Sequence, residues 1–188
     1  EKSGIVKKSG ASYSYIDKAG AEQKMERGYD ATRQFLKSNK KIADEIQAKI
    51  KGDKHISAGT VHSFGLRAFS KAFGRPTVDG YKVPNLVNSF VESNPEYKAY
   101  EAAMVKLISF AKQRALGVLG SIENMNEWFD IVSHFDVFGD IDETKVPESQ
   151  VIAASIEILK ISNANTKTID YDDMVYLPVF HHVGFWRL

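Results

Sequence analysis

The stretch GTVHSFGLRAF, Gly59 to Phe69, places a Thr, a His and a Ser in four positions just ahead of an apolar helical pattern. Leu66, Phe69 and Phe73 recur at helical spacing, and Gly74 with Pro76 forms a stop, so the spacing predicts an amphipathic helix over Val61–Phe73. Thr60 and Ser63 then fall at a helix start, where free backbone N–H groups donate to a side-chain cap or an anion. Cap and phosphate contact are both open at this point, and they are compatible. A nucleophilic role for Ser63 needs a base within hydrogen-bond reach. His62 is adjacent, so the two side chains diverge, and no G-x-S-x-G elbow exists. No catalytic residue is expected.

Outward from that helix the chain reads as mainly α (α+β), a helical bundle-like body with a few short strands. Lys7–Gly20 predicts a hairpin, with Tyr13 and Tyr15 alternating with Ser between Gly10 and Gly20. From Ala21 to Ile50 the pattern turns helical, broken at Ser38-Asn39, either of which is a candidate cap. Gly52-Asp53 reads as a turn and HISAGT as a short strand. Pro84 suits the first turn of a helix running to Glu92, and Pro95 opens a long helix through Ala111. Asn124 is placed to cap MNEWFDIVSHF, and Pro147 to start ESQVIAASIEILKISNA.

The 188 residues are 43% hydrophobic and 26% charged, ordinary for a globular chain with a sizeable core. Net charge is +1, so no global field selects a partner, but residues 1–55 hold 13 of the 25 Lys/Arg and 8 of the 24 Asp/Glu. A basic head of +5 on a body of −4 points an anionic partner toward the head. The charge change sets the expected domain boundary: a small basic α+β region, 1–52, and a helical region, 53–188. With no cysteine, disulfides and thiolate metal sites are excluded, and a cytoplasmic protein without a membrane partner is expected. The chain opens on Glu1 and closes on VGFWRL, and is read as a fragment.

Other candidate chemistry is thin. Neither G-x-x-x-x-G-K-[ST] nor G-x-G-x-x-G occurs, so no phosphate cradle is available. Asp142-Glu143 reads as a loop. His181-His182 point to different faces and lack a third ligand, so no metal is expected. Asp172-Asp173 read as solvent-facing or helix-capping carboxylates.

Four stretches together resemble UvrD/Rep-type superfamily 1 DNA helicases. GTVHSFGLRAF resembles that family's T-F-H-S-x-G segment, and SNKKIADEIQAKI its aromatic-Asn-Lys helix opening. KLISFAKQRAL resembles its L-I-S-x-A-K helix, and TIDYDDMVYLPV its D-[FY]-D-D-[LM] segment. The resemblance implies part of the 1A/1B region without its P-loop, a fragment of an ATP-dependent single-stranded DNA translocase. Asn39, Lys40, Thr60, His62 and Ser63 would then contact single-stranded DNA. Ser38 stands where the family has a stacking aromatic. ATP and Mg belong to the parent family; no cofactor is expected in this chain, which is expected neither to bind ATP tightly nor to hydrolyse it.

The head resembles the C-terminal domain of RecA-type recombinases, through KSGIVKKSGASYSY, then ATRQFLKSNKKIADEIQAKI. Ser12 replaces that family's Trp. The resemblance implies a basic face for duplex DNA, with Lys7 and Lys8 as the matched contacts. The two resemblances overlap at Ser38–Ile50. An accessory duplex-binding domain and a structural helical module without nucleic acid are the alternatives to the helicase fragment.

Overall fold

The computed structural model describes residues 4–53, 59–139, 141 and 145–184. The expected short strand at HISAGT falls largely outside these residues, as does the Asp142-Glu143 loop. The chain forms two compact units, residues 1–59 and 60–188. The expectation of a mainly helical α+β chain holds.

In the first unit three strands form an antiparallel meander in the order β1–β2–β3: β1 (Val6–Ser9), β2 (Ser12–Ile16) and β3 (Glu22–Arg27). Gly10, at φ 59°, supplies the left-handed residue of the tight turn between β1 and β2. Asp17 closes the next turn, its Oδ1 accepting from the backbone N–H groups of Ala19 and Ala21 at 2.9 Å each. Its carboxyl is held below the usual range, chiefly by the Gln23 amide donor and then by the Ala21 N–H.

β3 corrects the expectation of helix from Ala21 onward. EQKMER has one apolar residue, Met25, so it shows no period of two. Its strand state comes from pairing with β2 across the Asp17 turn. α1 (Tyr29–Ser38) and α2 (Lys40–Gly52) follow. The break falls where expected, but the Asn39 side chain accepts nothing from α2. Its Nδ2 donates instead to the Phe35 carbonyl at 2.8 Å, closing α1. Gly52, expected in a turn, is the last residue of α2. Tyr15, Met25 and Ile46 are buried, with Phe35, Leu36, Ile42 and Ile50 packed around them. Lys49 ties α2 to the sheet by donating to the carbonyls of Ile16 and Asp17.

The second unit contains α3 (Val61–Phe73), α4 (Lys82–Ser93), α5 (Glu101–Gln113), α6 (Met125–Phe135), α7 (Glu148–Ala164) and α8 (Asp173–Phe180). Two residue pairs, β4 (Thr77–Val78) and β5 (Thr168–Ile169), join in parallel. The long helix expected from Pro95 divides: Pro95–Tyr100 is a 3-10 turn, and α5 begins at Glu101. Tyr100 is buried there, its hydroxyl donating to the Val146 carbonyl at 3.0 Å. Asn124 precedes α6 without accepting a cap bond; its Nδ2 donates to Glu127 Oε1. The core is a continuous apolar cluster from α3 to α8, centred on Met104, Leu107, Ile108, Trp128, Ile152 and Leu159. Among the described residues no helix is long and apolar enough to cross a membrane.

Candidate functional site

Within the first unit the exposed cations differ in how far they are already engaged. Lys7 and Lys8 are neighbours on β1, so their side chains leave opposite faces of the sheet. Lys7 pairs with Glu22 at 3.3 Å, and Lys8 sits 5.8 Å from the Tyr13 ring centroid. On α1, Tyr29, Arg33 and Lys37 follow at four-residue spacing, which stacks them along one face. Together with Leu36, Lys40 and Ala43 they line a groove of about 540 Å³. Tyr29 is 71% exposed. No carboxylate among the described residues pairs with Arg33, Lys37 or Lys40. Sequence reading named Lys40 but missed Arg33 and Lys37; their spacing from Tyr29 was the available signal. Asn39 beside them has its amide committed to α1.

In the second unit Thr60 and Ser63 cap α3 reciprocally. The Ser63 N–H donates to Thr60 Oγ1 at 3.2 Å, and Ser63 Oγ donates to the Thr60 carbonyl at 2.8 Å. His62 is exposed and lines a cavity of about 420 Å³ with Gln113, Ala115, Asp172, Val175 and Val179, floored by Lys112 and Tyr176.

Beneath that cavity lies a buried ion cluster. Lys112 meets Asp170 at 2.5 Å and Asp173 at 2.8 Å, and Lys82 meets Asp173 at 2.7 Å while donating to the Ser162 carbonyl. Asp173 is fully buried, which corrects its solvent-facing reading. Asp172, at the start of α8, makes no side-chain cap bond. Instead Asp170, which sequence reading did not single out, pairs with Asp173, each carboxylate accepting the other's backbone N–H, at 2.8 and 3.1 Å. Burial draws the Lys82 ammonium below the usual lysine range, against the opposing pull of Asp173. Asp172 faces outward by comparison, accepting from Ser109 Oγ at 2.6 Å. The sequence signal for Lys112 was its place four residues after the buried Ile108, on the core face of α5.

Tyr176 donates to the Leu116 carbonyl at 2.8 Å, and burial is the main cause of its hydroxyl pKa rising to about 12. An acid with a raised folded pKa gives stability that is intact below its unfolded value near 10 and lost as pH climbs through 12. Tyr176→Phe is therefore expected to flatten the fall in stability between those pH values. Urea titrations across that window check this, and an unchanged alkaline fall would disprove it. His181 packs its ring 5.0 Å from Phe73 and 5.2 Å from Phe180, and His182 follows in the left-handed region at φ 53°. No group of three metal-capable side chains exists among the described residues.

The first unit is thus a small strand–helix module with a cationic helical face. Residues 1–54 match the family model of the RecA C-terminal domain. That match runs through Ser38–Ile50, the helix both resemblances had claimed. No curated protein and no solved structure matches the chain.

Proposed function

We propose that the chain binds DNA and that its first unit holds the duplex backbone through Arg33, Lys37 and Lys40. One observation carries this reading: three cations, with no carboxylate partner among the described residues, surround a single groove beside an exposed tyrosine. Phosphate contacts of this kind need an unpaired ammonium or guanidinium, since a cation already paired gains less from a phosphate. The likeness of residues 1–54 to the RecA C-terminal domain supports DNA over an acidic protein as the partner. The test is fluorescence anisotropy of a labelled duplex over a salt series. Arg33→Ala/Lys37→Ala/Lys40→Ala is expected to weaken binding on the order of tenfold or more. The same variant should lower the log–log salt slope by about 0.9 for each phosphate that is no longer neutralised. Lys7→Ala/Lys8→Ala costs less, because Lys7 already has Glu22. A loss confined to the Lys7/Lys8 variant would move the interface to β1 and reject this reading.

A second reading is favoured by the second unit: single-stranded DNA crosses the start of α3 at Thr60, His62 and Ser63. His62, exposed at the edge of a cavity, supports it. The four helicase-like motifs support a translocase ancestry for this part.

A further inference from the structure

We propose that the cavity beside His62 is a nucleobase pocket, taking a base with an exocyclic amino group from a single strand crossing α3. The inference rests on the second reading above and adds to it what the cavity holds.

The walls divide by chemistry. Val175, Val179 and Ala115 form an apolar side, and the His62 imidazole offers a flat ring at the edge. The polar side is Gln113 and Asp172, which a relay joins through Ser109, itself not a wall residue: Gln113 Nε2 donates to Ser109 Oγ at 3.1 Å, and Ser109 Oγ donates to Asp172 Oδ2 at 2.6 Å. That relay orients two side chains. Among the described residues it leaves Asp172 Oδ1 and Gln113 Oε1 without partners, both acceptors, together with one free Gln113 N–H. Pockets that recognise small planar ligands combine an apolar body with a few such fixed polar groups.

The electrostatics select the base over the phosphate. Lys112 in the floor is neutralised by Asp170 and Asp173, so it offers no net positive charge. Asp172 adds a carboxylate that repels a phosphate and accepts an amino group. Cytosine presents an amino donor beside a ring-nitrogen acceptor, which are the complements of a free carboxylate oxygen and an amide N–H, the groups Asp172 and Gln113 bring to this cavity. Thymine can answer the carboxylate only through its ring N3–H, whose two flanking carbonyl oxygens then face the same acceptor, so it fits less well than an amino group.

The experiment follows the His62 imidazole resonance in the intact chain, labelled with ¹³C-histidine. Three hexanucleotides of equal backbone charge are titrated at low salt: oligo-dC, oligo-dT and an abasic strand. Oligo-dC is expected to half-saturate the His62 shift at a concentration about tenfold below the abasic strand, as one seated base is worth that much. Oligo-dT should fall between them. In Gln113→Leu the difference between oligo-dC and the abasic strand should disappear while the abasic response persists. If the abasic strand moves His62 as readily as oligo-dC in the unsubstituted chain, the pocket is overturned and strand binding at α3 stands. If no strand moves His62, both fall. Free dCMP acting at the same concentration as oligo-dC would overturn the assignment to a strand.

Discussion

Valine at Gly65 is expected to destroy the packing of α3 against α8. A Cβ on Gly65 would lie 1.8 Å from the Met174 carbonyl oxygen and 2.9 Å from its carbon. Both are backbone atoms within α8, so no rotamer change relieves the clash and the helices must separate. Alanine alone creates that clash, and valine adds two methyl groups to it. Overpacking in cores costs roughly 1–3 kcal/mol where side chains can yield, and more where they cannot. For Gly65→Ala we expect at least about 3 kcal/mol, a fall of roughly 10 °C in Tm. Gly65→Val should leave the second unit without a cooperative transition. Both tryptophans, Trp128 and Trp186, follow residue 60, so tryptophan fluorescence on heating reports that unit alone. A Gly65→Ala transition within about 2 °C of the original would show that α3 and α8 do not approach this closely.

The second large effect belongs to Asp173. Asp173→Leu removes the carboxylate shared by Lys82 and Lys112, whose side chains are 3% and 0% exposed. Lys112 retains Asp170, but Lys82 keeps only the Ser162 carbonyl. Breaking a buried pair from one side leaves an uncompensated charge and costs about 3–5 kcal/mol, far more than the pair's net contribution. The same logic makes the double variant Lys82→Met/Asp173→Leu more stable than Asp173→Leu, since Lys112 and Asp170 then remain as a one-to-one pair. Urea denaturation of both variants and of Lys82→Met closes the cycle. A loss under about 1 kcal/mol for Asp173→Leu, the size of an exposed ion pair, would contradict the buried geometry.

Much of the helical body was legible because its signals are local. Thr60 and Ser63 ahead of the apolar spacing placed the start of α3, and Gly74, at φ 87°, ended it. Pro84 and Pro147 marked α4 and α7 for the same reason: a fixed φ and a missing N–H suit a first turn. β3 was illegible. Its single apolar residue has no periodicity to read, and its partner lies across a turn that one aspartate organises. Asn39 was legible as a break but not as a cap, since its amide could serve either helix and only the folded geometry chose Phe35.

The candidate sites divide in the same way. Thr60, His62 and Ser63 could be named from an eleven-residue window, and Lys7 and Lys8 from a resemblance. Only strand alternation and a cross-strand Glu22 show that those two lysines leave opposite faces and that one is already paired. The Gln113–Ser109–Asp172 relay joins α5 to the start of α8 across about sixty residues of chain, a distance no periodicity spans. The amino-acid sequence by itself determined most of the helices of the body, some of their ends and the basic head, because backbone caps and helical faces are decided within a few residues. The tertiary structure alone decided that Asp173 is buried and that Gly65 touches a backbone carbonyl. Desolvation and steric contact depend on what packs from afar, and neither leaves a mark on neighbouring letters.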